Sequence, residues 1–116
     1  MKIIQAIFVD VIAQKVSFVE TPNTIRDYKD LMEYYFIDGT YLDSKTYCYY
    51  DLYGALKDSV GFFMFSNIPR LFVGNALLVG IDENSKDVSV MLSLEDVLRE
   101  IKFISLKEFE EVTCNP

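Results

Sequence analysis

The chain opens with a pair of strands, and nowhere does it sustain the strand–helix–strand alternation that would build a doubly wound sheet. Residues 2–9 (KIIQAIFV) and 15–21 (KVSFVET) are rich in β-branched and aromatic residues and flank a short turn around Asp10–Gln14. Pro22-Asn23 ends the second run. Thr24 then stands as a helix N-cap, with Asp27 in the capping-box position. Ile25, Tyr28, Leu31, Met32, Tyr35 and Phe36 recur at helical spacing, which predicts a helix that Asp38-Gly39 stops.

Strand signals dominate the middle of the chain. TYL and TYCYY flank Asp43-Ser44-Lys45, a hairpin turn by composition, and GFFMF (61–65) reads as a buried strand. SNIPR (66–70) reads as a loop. NALLVGI and DVSVML flank DENSKD as a second hairpin with a longer polar loop. Ser93 caps a helix carrying Leu94, Val97, Leu98 and Ile101 on one face, and Ser105 with Glu108 forms another capping box, leading to Leu106, Phe109 and Val112. KFI between them is an extended link or a bend. With 116 residues, 51% of them hydrophobic, the chain is long enough for one domain with a core of its own. The expected fold is a single α+β domain over 1–116: a mostly antiparallel sheet with two or three short helices packed on one face.

The chemistry inventory is mostly exclusion. Histidine is absent, which removes Ser-His-Asp and Cys-His nucleophilic sites and the commonest transition-metal ligand. DENSKDVSVML lacks the Gly and terminal Glu of a calcium loop, and no phosphate-binding glycine motif occurs. The two glycines of GNALLVG read as a bulge or a close backbone approach rather than a ligand loop. The expectation is no catalytic constellation, no metal and no cofactor. Cys48 and Cys114 form no C-x-x-C pair and are too few for a disulfide framework, so a reduced, cytoplasmic chain is expected. Gln5 and Asp10 break the apolar opening, which argues against a signal peptide, and the apolar stretch 71–81 is short of the roughly 20 residues a bilayer span needs.

Net charge is −7, with 18 acids against 11 bases and no basic cluster, so direct binding of nucleic acid is not expected. An acidic surface suits a basic partner instead. The aromatic residues that could join it are concentrated: all eight tyrosines lie between positions 28 and 53. Tyr28 and Tyr35 sit on the helical stripe and read as core. In TYCYYDLY, strand parity puts Cys48, Tyr50 and Leu52 inward and Tyr47, Tyr49 and Asp51 outward. The outward tyrosines either stabilise a sheet by cross-strand pairing or form an interface. Arg70 either pairs with a neighbouring acid or binds a carboxylate or phosphate. Glu95, Asp96, Glu100, Glu108, Glu110 and Glu111 are either a solvated helix face or a surface that occupies a basic groove.

From Val16 to the SLED helix, the strand pair, the helix near Thr24, the tyrosine strand leading into YGAL, the NIPR segment, GNALLVG and SLEDVLREI are similar to a family of small uncharacterised proteins carried by phages, plasmids and integrative elements. Asn67, Arg70, Gly74 and Gly80 are the distinctive positions. The resemblance implies a mobile-element origin and a cytoplasmic accessory role, and it transfers no catalytic residue.

The leading expectation is therefore a non-enzymatic binding protein that engages a host protein through an acidic and aromatic surface. Two alternatives stand beside it. One is a small-ligand binder, such as a nucleotide sponge that stacks a base on Tyr47 or Tyr49 and pairs a phosphate with Arg70. The other is an enzyme built on two convergent carboxylates. A homodimer through Tyr47 and Tyr49 is also expected, on the premise that strand 46–50 or 75–81 lies at a sheet edge.

Overall fold

The computed structural model describes residues 2–54, 61–105 and 107–108. Strands from the start and the middle of the chain converge on one segment. β7 (Ala76–Ile81) is buried at all six positions, with Ala76 and Leu78 facing one way and Leu77, Val79 and Ile81 the other. A strand with no solvent face must be central and covered on both sides. β1 (Ile3–Asp10) and β4 (Thr46–Asp51) flank it, and β2 (Lys15–Pro22) and β3 (Ile37–Asp43) complete the order β2-β1-β7-β4-β3. The two-residue β8 (Asp87–Val88) pairs with β7 at Gly80 and Ile81. A second sheet has the order β6-β5-β9, from β6 (Ile68–Val73), β5 (Gly61–Phe65) and β9 (Ile101–Ser105). Every pairing among the described residues is antiparallel.

Two apolar layers result. On one face of the large sheet, Ile7, Val9, Cys48 and Leu78 meet Phe63, Phe65 and Phe72 of the small sheet, with Val97 of α2 (Leu94–Glu100). On the other face, Ile4, Ala6, Leu77 and Val79 are covered by Tyr28 and Met32 of α1 (Ile25–Met32). The mostly antiparallel α+β architecture is as expected, but the helices do not share a face. Each covers one side of a sheet whose central strand is apolar on both.

α1 starts as the sequence predicts, with Thr24 accepting from the Asp27 amide and its hydroxyl meeting the Asp27 carboxylate. It ends earlier. Glu33 takes a left-handed conformation (φ 60°) and its N–H bonds back to Asp30 and Lys29. Gly39 lies inside β3, opposite Tyr49, and Tyr35 is 86% exposed rather than core. The apolar spacing continues past Met32, but residues 37–43 gain a ladder with β4, broken only by a register shift between Tyr41 and Asp43, and that outweighs another helical turn. At the second helix, Val97 is buried as expected, Leu98 is exposed, and Ile101 already belongs to β9.

The SNIPR loop is also shorter than its composition suggests. Only Ser66 and Asn67 turn, and Pro69 and Arg70 lie in β6. An edge strand tolerates a proline because its outer amides need no ladder partner. KFI proves extended, within β9. The edge premise behind a Tyr47–Tyr49 homodimer does not hold, since β4 and β7 are both internal and β2 and β3 are the edges. The capping box at Ser105 forms both reciprocal bonds with Glu108, whereas Leu106, Phe109 and Val112 lie outside the described residues.

Of the two glycines of GNALLVG, Gly80 makes the anticipated close backbone approach, whereas Gly74 lies between β6 and β7 and shows neither a bulge nor that approach. Gly74 takes a left-handed φ of 85°, and a Cβ at Gly80 would overlap the Ser89 carbonyl oxygen, so β8 approaches β7 only because position 80 is bare.

Phe63 is fully buried and stacks on Phe72 at 4.9 Å with an interplanar angle of 7°. Phe63→Ala leaves a cavity between the two sheets and should cost about 3–5 kcal/mol, read as a lowered urea midpoint.

Candidate functional site

The helix-covered face of the large sheet carries a line of tyrosines. Tyr28 from α1 meets Tyr49 at a ring separation of 4.9 Å, Tyr49 meets Tyr47 at 5.0 Å, and Tyr47 meets Tyr41 of β3 at 4.9 Å. The rings run from fully buried Tyr28 to Tyr41, which is 54% exposed, and adjacent planes are inclined by 43° to 84°. Such tilted pairs suit the ring quadrupole. Gly39 makes the line possible, because a Cβ there would overlap the Tyr47 ring at Cε2.

Asp87 anchors the buried end. Its Oδ2 accepts from the Tyr28 hydroxyl at 2.9 Å and from the Tyr49 hydroxyl at 2.7 Å. Its backbone is held in turn, since Asn23 Nδ2 donates to the Asp87 carbonyl at 3.1 Å and the Lys2 amide donates to Asn23 Oδ1 at 3.0 Å. α1 and β4 therefore fix this carboxylate, while Asn23, held by Lys2, fixes the backbone of β8 that carries it. Above it opens a groove of about 490 Å³, walled by Tyr41, Tyr47 and Tyr49, with Ile81 among its apolar residues and Asp87 in its lining; Asp38 borders it too, but the Asp38 carboxylate accepts from the Gly39 amide and lies 3.5 Å from the Tyr50 hydroxyl on the other face.

Electrostatics follow from this placement. Burial, then the bond to Asp87, then its charge, push the Tyr28 and Tyr49 hydroxyls far above the usual phenol range. Tyr47 also shifts upward, by burial first and the Asp38 charge next. These phenols are donors, not bases. Cys48, on the opposite face of β4, is fully buried and its thiol is pushed up to about 12, with Arg70 opposing the shift. It is not a nucleophile at neutral pH.

The residues singled out in the sequence are only partly brought together. Tyr47 and Tyr49 do share a face, but Tyr28 of α1 packs on Tyr49, and Tyr49 and Tyr41 flank Tyr47, so both are partly buried rather than outward. Asp51 is 5% exposed and its Oδ1 accepts from the Tyr53 amide at 3.1 Å, while Leu52 lies beyond the strand and is exposed. Arg70 sits across the sheet, with its guanidinium carbon 4.5 Å from the Tyr50 ring centroid and 5.1 Å from that of Phe72. Stacking on rings, rather than the expected acid, is its contact among the described residues. Tyr50 packs into the inter-sheet layer and Tyr47 and Tyr49 into the helix-covered one, so base stacking on Tyr47 or Tyr49 and phosphate pairing by Arg70 do not converge on one site.

The helix acids lie elsewhere again. Asp96 accepts from the Ser93 amide and pairs with Arg99 at 3.1 Å, and the Ser93 backbone bond is the main cause holding its carboxyl below the usual range. Glu100 accepts from the Ser66 hydroxyl, Glu108 caps at Ser105, and Glu95 is exposed. Glu110 and Glu111 lie outside the described residues. Among the described residues no group of three or more ligating side chains could hold a metal ion, and no helix is long and apolar enough to cross a membrane.

Sequence reasoning missed Asp87, Asp38, Gly39 and Tyr41. Asp87 closes a polar hairpin loop by composition, and nothing local marks it as the partner of Tyr28, 59 positions away. No family model matches this chain, and neither a curated protein nor a solved structure matches it.

Two variants probe the site. Tyr49→Phe keeps the ring and removes one donor to a charged acceptor, so it should cost about 1.5–3 kcal/mol at neutral pH in urea denaturation. Tyr28 and Tyr49 hold their protons in the folded state above the ordinary phenol value near 10, where the unfolded chain has lost them. Stability is fully present below about pH 10 and falls as pH rises beyond it, and that fall should be shallower in Tyr49→Phe. Gly39→Ala should evict the Tyr47 ring while the β3–β4 ladder survives, read by NMR as lost Tyr41–Tyr47 ring contacts with amide cross-strand contacts retained.

Proposed function

We propose that the chain is a non-enzymatic binding protein of phage or mobile-element origin, acting in the cytoplasm and engaging a host protein through its tyrosine- and carboxylate-lined groove. The observation that carries this reading is Asp87, a carboxylate fixed by two phenol donors in the lining of a groove walled by Tyr41, Tyr47 and Tyr49. Rings supply contact area at low conformational cost, and a pre-positioned charge selects a partner of opposite sign. The net charge of −7 extends the preference beyond contact range and favours a protein with a basic groove, such as a host defence or nucleic-acid-processing protein.

Affinity capture from host lysate tests the reading. At about 50 mM salt a basic protein should be retained, and it should be lost or strongly depleted near 1 M, where the Debye length falls to about 3 Å. Tyr47→Ala should reduce the retained amount at low salt. An unchanged set of captured proteins at both salts, or none, counts against it. Light scattering on the same sample separates a host partner from a second copy, which would have to pair at an open edge such as β3.

A further inference from the structure

We infer that the groove receives an arginine side chain of the partner, its guanidinium lying on the Tyr47 and Tyr49 rings and hydrogen-bonding to Asp87. This rests on the binding-protein reading and names the group that the groove recognises.

The acceptor geometry comes first. Both phenol donors of Asp87 use the same oxygen, Oδ2, at 2.9 and 2.7 Å. Among the described residues Oδ1 has no hydrogen-bond donor, although the side chain lines the groove. A carboxylate with one oxygen doubly occupied and the other open has room for a further donor, and a cation suits it best. Asp38 also contributes to the lining, but its carboxylate is turned away, with Oδ1 accepting from the Gly39 amide at 2.8 Å and Oδ2 at 3.5 Å from the Tyr50 hydroxyl on the other face, which leaves Asp87 as the acceptor. Three tyrosines supply the walls, with Tyr47 inclined at 65° to Tyr49 and at 84° to Tyr41. Aromatic faces beside a carboxylate, with no cation of the chain's own among the described lining residues, form a cation site.

The choice of guanidinium over ammonium follows from shape and hydration. An ammonium is compact and strongly hydrated, whereas a guanidinium is planar, weakly hydrated and carries five donors in a fork. It can lie on one ring while its edge donates to Oδ1. The protein already holds one guanidinium this way, since Arg70 lies over Tyr50 and Phe72 on the other side of the same strand. A groove of about 490 Å³ takes a whole arginine side chain with its aliphatic stem against Ile81. A chain-embedded arginine is favoured over the free amino acid, whose hydrated α-ammonium and α-carboxylate would have to be brought against the apolar lining at Ile25, Ile37 and Ile81.

Two-dimensional NMR of the intact protein, titrated with N-acetyl-arginine methylamide, tests this directly and needs no identified partner. Saturable shifts should concentrate at Tyr41, Tyr47, Tyr49 and Asp87, with an affinity of about millimolar for so small a probe. The matching lysine amide and free L-arginine should each bind several-fold more weakly. Asp87→Asn retains an acceptor for the two phenols and removes the charge, and it should weaken the arginine amide about fivefold. Tyr47→Ala, at a partly exposed position, should weaken it by a similar factor without unfolding the domain. No saturable shift, shifts centred elsewhere, equal binding of the lysine amide, tighter binding of free arginine, or full binding by both variants would each overturn the assignment. If the arginine amide fails while a host protein is still captured, the arginine site falls and the binding-protein reading stands. If the amide binds and no protein is captured, the reverse holds.

Discussion

Burial of β7 on both faces is the constraint from which the remaining architecture follows. Ala76 and Leu78 require the small sheet and α2 on one side, and Leu77, Val79 and Ile81 require α1 on the other. At roughly 25 cal/mol per Å² of apolar surface, leaving either side open would forfeit the contribution of two or three fully buried aliphatic residues. The flanking strands obey the same rule. β1 sends Ile4 and Ala6 one way and Ile7 and Val9 the other, and β4 sends Cys48 into one layer while Tyr47 and Tyr49 join the other.

The groove is a by-product of how the helix layer is finished. α1 is only eight residues long and cannot cover the far end of β3 and β4, so tyrosines rather than aliphatic residues close that face. Two bare backbone positions then shape the opening. Gly39 lets the Tyr47 ring lie across β3, and Gly80 lets β8 approach closely enough for Asp87 to reach two phenols. Neither glycine is needed for a turn. Each leaves space that another residue fills.

Local signals in the sequence are accurate where structure is decided locally. The Thr24 and Ser93 caps, the strand bounds of the first hairpin, the Asp43-Ser44-Lys45 turn and the buried GFFMF strand all follow from neighbouring residues. Strand parity separates Cys48 from Tyr47 and Tyr49 correctly, but parity names a face and not what covers it. Hence Tyr47 and Tyr49 read as outward until the Tyr28 and Tyr41 rings are in place, and Asp51 reads as exposed although it is buried. The helix end at Glu33 and the strand through Pro69 are illegible because distant pairing decides them, with β4 in one case and β5 in the other. The Asp87 cluster is hidden for the same reason, since its donors come from positions 28 and 49.

The position of β7 in the chain has a consequence for synthesis. Leu78 pairs with Ile7 and with Cys48, so the large sheet cannot close until both distant partners meet a strand made late. At ribosomal rates of about 5–20 residues per second, roughly 4–14 s separate Val9 from Ile81. During that interval the first hairpin carries Ile4, Ala6, Ile7 and Val9 with neither apolar layer assembled. Non-local pairing of this kind places folding in the slow, millisecond-to-second range of small domains. The first two strands are therefore synthesised with apolar residues destined for both layers, and neither set can be buried until the middle strand arrives.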